Sequence, residues 1–101
     1  MEENLFSRIK KLVAQIPEGK VTTYGEVAKA AGISDARKVG WAIYGNQDKK
    51  VPCHRVVNKA GFVAERFSLG GWQEHKARLE AEGINFVQEK QVDLQKHMFT
   101  Y

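Results

Sequence analysis

The sequence is poor in the residues that staple small folds. It contains one cysteine, so no intrachain disulfide can form. That points to a reducing, intracellular setting: cytoplasmic, at the nucleoid or in a nucleus according to the cell. The three histidines and the single cysteine show no paired metal-ligand spacing, which argues against a structural zinc, and nothing in the chain calls for a cofactor. No apolar run approaches the length of a membrane span. The N-terminus carries Glu2 and Glu3 where a secretory leader would carry basic residues. The only prolines, Pro17 and Pro52, fall at breaks between apolar-patterned segments.

What remains is an ordinary globular composition, 43% hydrophobic and 28% charged over 101 residues. That length suits one small domain spanning residues 1–101. Sixteen Lys and Arg against 12 Asp and Glu leave a net charge of +4, which favours a polyanionic partner and equally suits a merely basic domain.

Residues 3–15 pattern as an amphipathic helix, with Leu5, Ile9, Leu12 and Val13 on one face and Phe6 and Ile16 on its flank. Pro17-Glu18-Gly19 ends it, and Val21 is an extended step. Thr23, with Glu26 three residues on, has the form of a capping box for a helix from Tyr24 to Ala31, closed by Gly32. Val27, Ala28 and Ala31 face inward. Ser34 or Asp35 caps a second helix from about Ala36 to Gly45. Two helices joined by a tight turn are the layout of a helix-turn-helix. Gly40 costs its helix roughly 1 kcal/mol against alanine, which a close approach to DNA or to a neighbouring helix would justify.

Val56-Val57 patterns as a strand, with Phe62-Val63 returning as its hairpin partner after the turn at Asn58-Lys59-Ala60-Gly61. A last helix runs from Gly71 to Glu82, packing through Trp72, Ala77 and Leu79. Ile84–Val87 is strand-like, and the polar tail to Tyr101 docks or frays.

Cys53 sits between these elements in the run Pro52-Cys53-His54-Arg55. A lone intracellular cysteine is commonly a small buried hydrophobe. Here the adjacent His54 and Arg55 supply a local field that favours thiolate, and Pro52 restricts the entering backbone. From these residues alone both readings stand.

Pro52-Cys53-His54-Arg55-Val56-Val57 resembles the active-site signature of the O6-alkylguanine-DNA alkyltransferase family. The resemblance covers nearly the whole chain. Gly19–Ala28 is similar to the family's first helix-turn-helix helix, Ala36–Gly40 to its recognition helix, Asn46 to its loop asparagine, and Leu79–Gly83 to the segment carrying its glutamate. The fold so implied is mostly α with a short β-hairpin, a winged-helix-like helix-turn-helix domain.

The resemblance implies roles. Cys53 would attack the alkyl carbon of O6-alkylguanine and keep the alkyl group, once per molecule. His54 would take the thiol proton through a water, with Glu82 behind it. Tyr24 would help rotate the base out of the duplex and protonate the departing guanine. Arg37 would fill the vacated stack, Asn46 would brace the cysteine loop, and Arg55 would also face DNA. The Val56 carbonyl would read the guanine. Extrusion is required because the target atom is unreachable inside the duplex. The partner is then double-stranded DNA containing O6-alkylguanine, and the protein a monomer.

Other features resemble the family's alkyltransferase-like members, which bind O6-alkylguanine without accepting the alkyl group and pass it to nucleotide excision repair. The chain has their small format, and its loop 62–67 lacks the tyrosine-serine pair of the alkyltransferases. Arg66 falls where those members keep an arginine against the damaged base. Trp41 and Tyr44 are bulkier than the recognition helix of the family leads one to expect. The leading expectation is thus a single-turnover DNA–protein-cysteine methyltransferase. A non-repairing lesion sensor is its rival, and a plain helix-turn-helix module with an inert cysteine is a third reading.

Overall fold

A computed structural model describes residues 4–44, 46, 48–67 and 69–101. The first helix, α1 (Leu5–Ala14), starts at Asn4, whose side-chain oxygen accepts from the Ser7 N–H. Ile9 and Val13 are fully buried with Ile16 beyond the helix end, whereas Phe6, expected on the apolar flank, is exposed.

Strand β1 (Thr22–Thr23) leads directly into α2 (Tyr24–Ala31). The Thr23 hydroxyl accepts from the Glu26 N–H at 3.2 Å, as the capping pattern requires. Gly32 closes α2 in the left-handed region, at φ 78°. The next helix, α3 (Arg37–Ile43), is shorter than its pattern. Neither Ser34 nor Asp35 occupies its cap position, which falls to Ala36, but the Asp35 carboxylate accepts from the Arg37 N–H at 3.0 Å. Its expected end at Gly45 lies outside the described residues.

Helices α1, α2 and α3 enclose a first core of Ile9, Val13, Val27, Val39 and Val56. Burying such a side chain contributes about 1.5–3 kcal/mol. A second core, with Val21, Val57, Leu79, Ile84 and Val92, lies under α4 (Gly71–Ala81). Strand β2 (Val56–Val57) joins the two, because successive strand residues point to opposite faces. Val56 enters the first core and Val57 the second.

The hairpin expected between Val56-Val57 and Phe62-Val63 does not form. β2 pairs in parallel with β1, Thr22 opposite Val56 and Thr23 opposite Val57. Phe62 instead bridges to Gln91. The short antiparallel hairpin is the later one, β3 (Phe86–Gln88) with β4 (Gln91–Val92). On α4 the inward positions are His75 and Leu79, four residues apart, while Ala77 is exposed.

The tail docks. Helix α5 (Leu94–His97) carries the chain back to β1, where the Val21 N–H donates to the His97 carbonyl at 3.0 Å and the Phe99 N–H to the Val21 carbonyl at 2.7 Å. His97 Nε2 accepts from the Asn85 N–H, which leaves Nδ1 protonated to donate to the Gly19 carbonyl at 3.1 Å. The Tyr101 hydroxyl donates to the Leu12 carbonyl at 2.7 Å. No helix among the described residues is long and apolar enough to cross a membrane.

Candidate nucleic-acid interface at the Cys53 turn

Cys53 opens a 3-10 turn, Cys53–Arg55, that runs straight into β2. The turn is held at short range: the Cys53 N–H donates to the Val51 carbonyl at 2.8 Å, and the Arg55 N–H to that of Pro52 at 2.9 Å. The Asn46 amide donates to the carbonyls of Asp48 and Val51 at 3.2 and 3.3 Å, so it ties the segment after α3 to the approach to Cys53.

Behind the turn stands Glu82, at the C-terminal cap of α4. His54 Nε2 lies 2.8 Å from one of its oxygens, and Arg55 grips both oxygens at 2.9 and 2.7 Å. Burial pushes the Glu82 carboxyl up, but the hydrogen bonds from Arg55 and His54 outweigh it and hold the group below its usual value. The third Arg55 contact is with the Ile16 carbonyl at 2.7 Å. Arg55 was expected at DNA; its side chain is only 16% exposed and fully committed inward, as a strut between α4, α1 and the cysteine turn.

His75 supports the turn from the same helix. It accepts from the Ala64 N–H through Nδ1 at 3.0 Å, so Nε2 carries the ring proton and donates to the His54 carbonyl at 2.7 Å. Its ring also stacks on Phe67, centroids 4.5 Å apart. The sequence reading missed both residues. The signal was the spacing of Trp72, His75 and Leu79 along one helical face.

The electrostatics of Cys53 differ from the sequence expectation. His54 and Arg55 turn toward Glu82 and do not leave their field for the thiol. Burial pushes the Cys53 thiol up; the Arg78 charge and the N–H groups of Cys53 and His54 oppose this only in part. At neutral pH the sulfur keeps its proton. Burial also pushes the Tyr24 hydroxyl up, in the same direction as charge on the nearby Cys53, so Tyr24 remains a hydrogen-bond donor.

A cavity of about 210 Å³ ends at Cys53. Buried Cys53, Ile43 and Phe67 form its deep end, and Tyr24 and Gly40 one wall. Exposed Trp41, Tyr44 and Arg66 stand at its mouth. Arg37 lies outside it, in an adjoining shallow concavity shared with Tyr24, Gly40 and Trp41. Its guanidinium is 79% exposed and rests against Asp35 at 3.0 Å. Of the residues expected in the site, the structure gathers Cys53, Tyr24 and Arg66 around one cavity, with His54 and Glu82 behind. Val56, whose carbonyl was expected to read the guanine, is fully buried and is not among the residues that line this cavity. Among the described residues, no three His, Cys, Asp or Glu side chains converge to hold a metal ion.

A helix-turn-helix whose second helix flanks a deep, partly apolar cavity defines a class of small domain that can present a pocket beside a nucleic-acid-binding helix. The model of the 6-O-methylguanine DNA methyltransferase DNA-binding domain matches residues 4–84, and the chain belongs to that family. It is 40% identical over 88 residues to alkyltransferase-like protein 1 of Schizosaccharomyces pombe, covering 85% of this chain and 82% of that one. It is also 40% identical over 104 residues to a DNA base-flipping protein of Escherichia coli, covering 99% and 78%. The structure superposes with a TM-score of 0.86, at 35% identity and over the whole of both chains, on S. pombe Atl1 bound to damaged DNA containing O6-carboxymethylguanine.

These likenesses overturn the expectation of a single-turnover methyltransferase acting through Cys53. A methylated-DNA–protein-cysteine methyltransferase of Archaeoglobus fulgidus is matched at 36% identity over only 54% of its length. Alkyltransferase-like protein 1 and the base-flipping protein, by contrast, are matched over most of both chains. The burial that pushes the Cys53 thiol up runs in the same direction, since the thiolate is the nucleophile.

Proposed function

We propose that this chain binds duplex DNA and holds an extruded O6-alkylguanine in the cavity that ends at Cys53, leaving the alkyl group in place. The held lesion then serves as a mark for other repair proteins, those of nucleotide excision repair among them. The observation that carries this reading is the cavity itself. It is open to solvent beside the second helix of a helix-turn-helix, walled by Tyr24 and Gly40 with Arg66 at its mouth, and it ends on a thiol that burial keeps neutral.

In this reading α3 lies along the DNA, and Arg37 at its N-terminal end enters the space the base leaves. An inserted side chain offsets part of the few kcal/mol that unstacking costs. The half-buried Tyr24 lines both the Arg37 concavity and the cavity, on the proposed path of the rotating nucleotide. The likeness to the S. pombe complex with O6-carboxymethylguanine DNA supports the ligand class. The Glu82–Arg55–His54 cluster, with His75, serves to hold the cysteine turn as a rigid end wall.

The test is a binding titration of duplexes that differ by one O6-methylguanine, followed by intact-mass measurement of the protein. The methylated duplex binds at least tenfold more tightly, Cys53→Ser keeps that preference, and the protein mass does not change. Equal affinity for the two duplexes defeats the proposal and leaves a plain helix-turn-helix module.

A further inference from the structure

We propose that Trp41 and Tyr44 form an aromatic rim that packs on the extruded nucleotide at the mouth of the cavity. The inference rests on the function proposed above and names the contact that holds the lesion once it has left the duplex.

Arg37, Trp41 and Tyr44 follow one another at i, i+4 and i+7, which places them on one stripe of α3 and its C-terminal end. The opposite face, with Val39, Ala42 and Ile43, is buried, so the packing of α3 does not use the aromatic pair. Trp41 is 59% and Tyr44 72% exposed, more than any other aromatic side chain among the described residues. Single exposed apolar side chains need no explanation. Two large rings on one stripe, following a cation and bordering a cavity, have a common geometric feature: both line the cavity that ends at Cys53. Trp41 also lines the Arg37 concavity, as Tyr24 and Gly40 do, and it is the exposed side chain of the three that border both.

A nucleotide passing from the Arg37 side into the cavity passes the Trp41 ring. Every nucleobase presents a π face, and stacking on an aromatic ring holds a base without reading its sequence. The occupant that fits is therefore the displaced purine nucleotide, not a protein partner. The continuity of the stripe with Arg37 and with the cavity argues for the same DNA strand. Such a rim acts only on a base that has left the stack. It strengthens lesion binding more than binding to intact duplex.

The fluorescence of Trp41 tests this directly. The other tryptophan, Trp72, lies on α4 against the Lys90 ammonium and does not line the cavity, so Trp72→Phe leaves Trp41 as the only indole. Emission of that variant falls further on titration with an O6-methylguanine duplex than with the matched guanine duplex. Trp41→Ala weakens binding to the lesion duplex by about 5- to 100-fold. The loss is larger for the lesion duplex than for the guanine duplex, the unfolding midpoint is unchanged, and Trp41→Phe recovers most of the loss. Equal quenching by both duplexes, or full lesion affinity in Trp41→Ala, overturns the inference while the proposed function stands. Absence of any lesion preference in the parent protein removes both.

Discussion

The imidazole of His75 is almost wholly enclosed, with one nitrogen accepting from Ala64 and the other donating to His54. Burial lowers its pKa from 6.5 to about 4, so the folded protein keeps the ring neutral where an unfolded chain would already take up a proton. The resulting stability is fully present above pH 6.5 and is lost as pH falls toward 4, a loss of about 3 kcal/mol. Glu82, whose carboxyl is held below its usual value, adds a loss of the same sign at lower pH. Urea unfolding at pH 7.5, 5.5 and 4.5 is expected to show a steep fall in the parent and a shallower one in His75→Gln. Equal slopes would mean that His75 does not carry the acid sensitivity. The residue shows where single-residue reading fails. A histidine on a charged helix resembles a surface residue, and only the loop brought beneath it, with the Ala64 N–H, makes it structural. Arg55 is the converse case: its place in the motif was legible, but its direction was set by Glu82, distant in sequence.

At the scale of elements, α2 was readable almost to the residue because its start and end are local chemistry: a threonine hydroxyl at one end and a left-handed glycine at the other. The partner of β2 was not readable. Its hydrogen bonds go to β1, across the whole of α2 and α3, and the turn residues after Val57 signal only a nearby partner. Helix α5, four residues long, is too short to show a period. Gly40 in α3 was legible as a cost with a purpose. A Cβ there would meet nothing nearer than the Tyr24 ring at 4.0 Å, so no neighbouring helix requires the glycine. Gly40→Ala is therefore expected to fold at least as stably as the parent, with a gain of up to about 1 kcal/mol in urea unfolding. The added methyl narrows both the cavity and the Arg37 concavity, and lesion-duplex affinity drops several-fold in the same protein. A variant that is more stable and binds as well as the parent would show that α3 does not approach the DNA closely.

At the scale of the molecule, the net charge of +4 and the cavity contribute in different ways. Phosphate contacts release counterions, so affinity for any duplex falls linearly with salt on logarithmic axes. In the proposed complex the grip on an extruded base is made mainly by apolar and aromatic surface, with Arg66 at the mouth, and depends far less on salt. Affinities for lesion and intact duplex, measured from low to moderate salt, should fall in parallel with their ratio constant. A ratio that collapses with salt would make the preference electrostatic. The family was legible because its motif is contiguous and ordered along the chain. The outcome at Cys53 was not, because the burial that pushes its thiol up is supplied by the fold and not by the neighbouring residues of the motif.

The docked tail bears on the order in which the chain can become native. His97 closes on Gly19 across 78 residues and Tyr101 on Leu12 across 89. Loop closure over such separations is entropically costly and comes late in folding. During synthesis α1, α2 and α3 leave the ribosome well before the residues that clasp Val21, so Val21, just ahead of β1, cannot acquire its backbone partners until residues 97–99 have emerged.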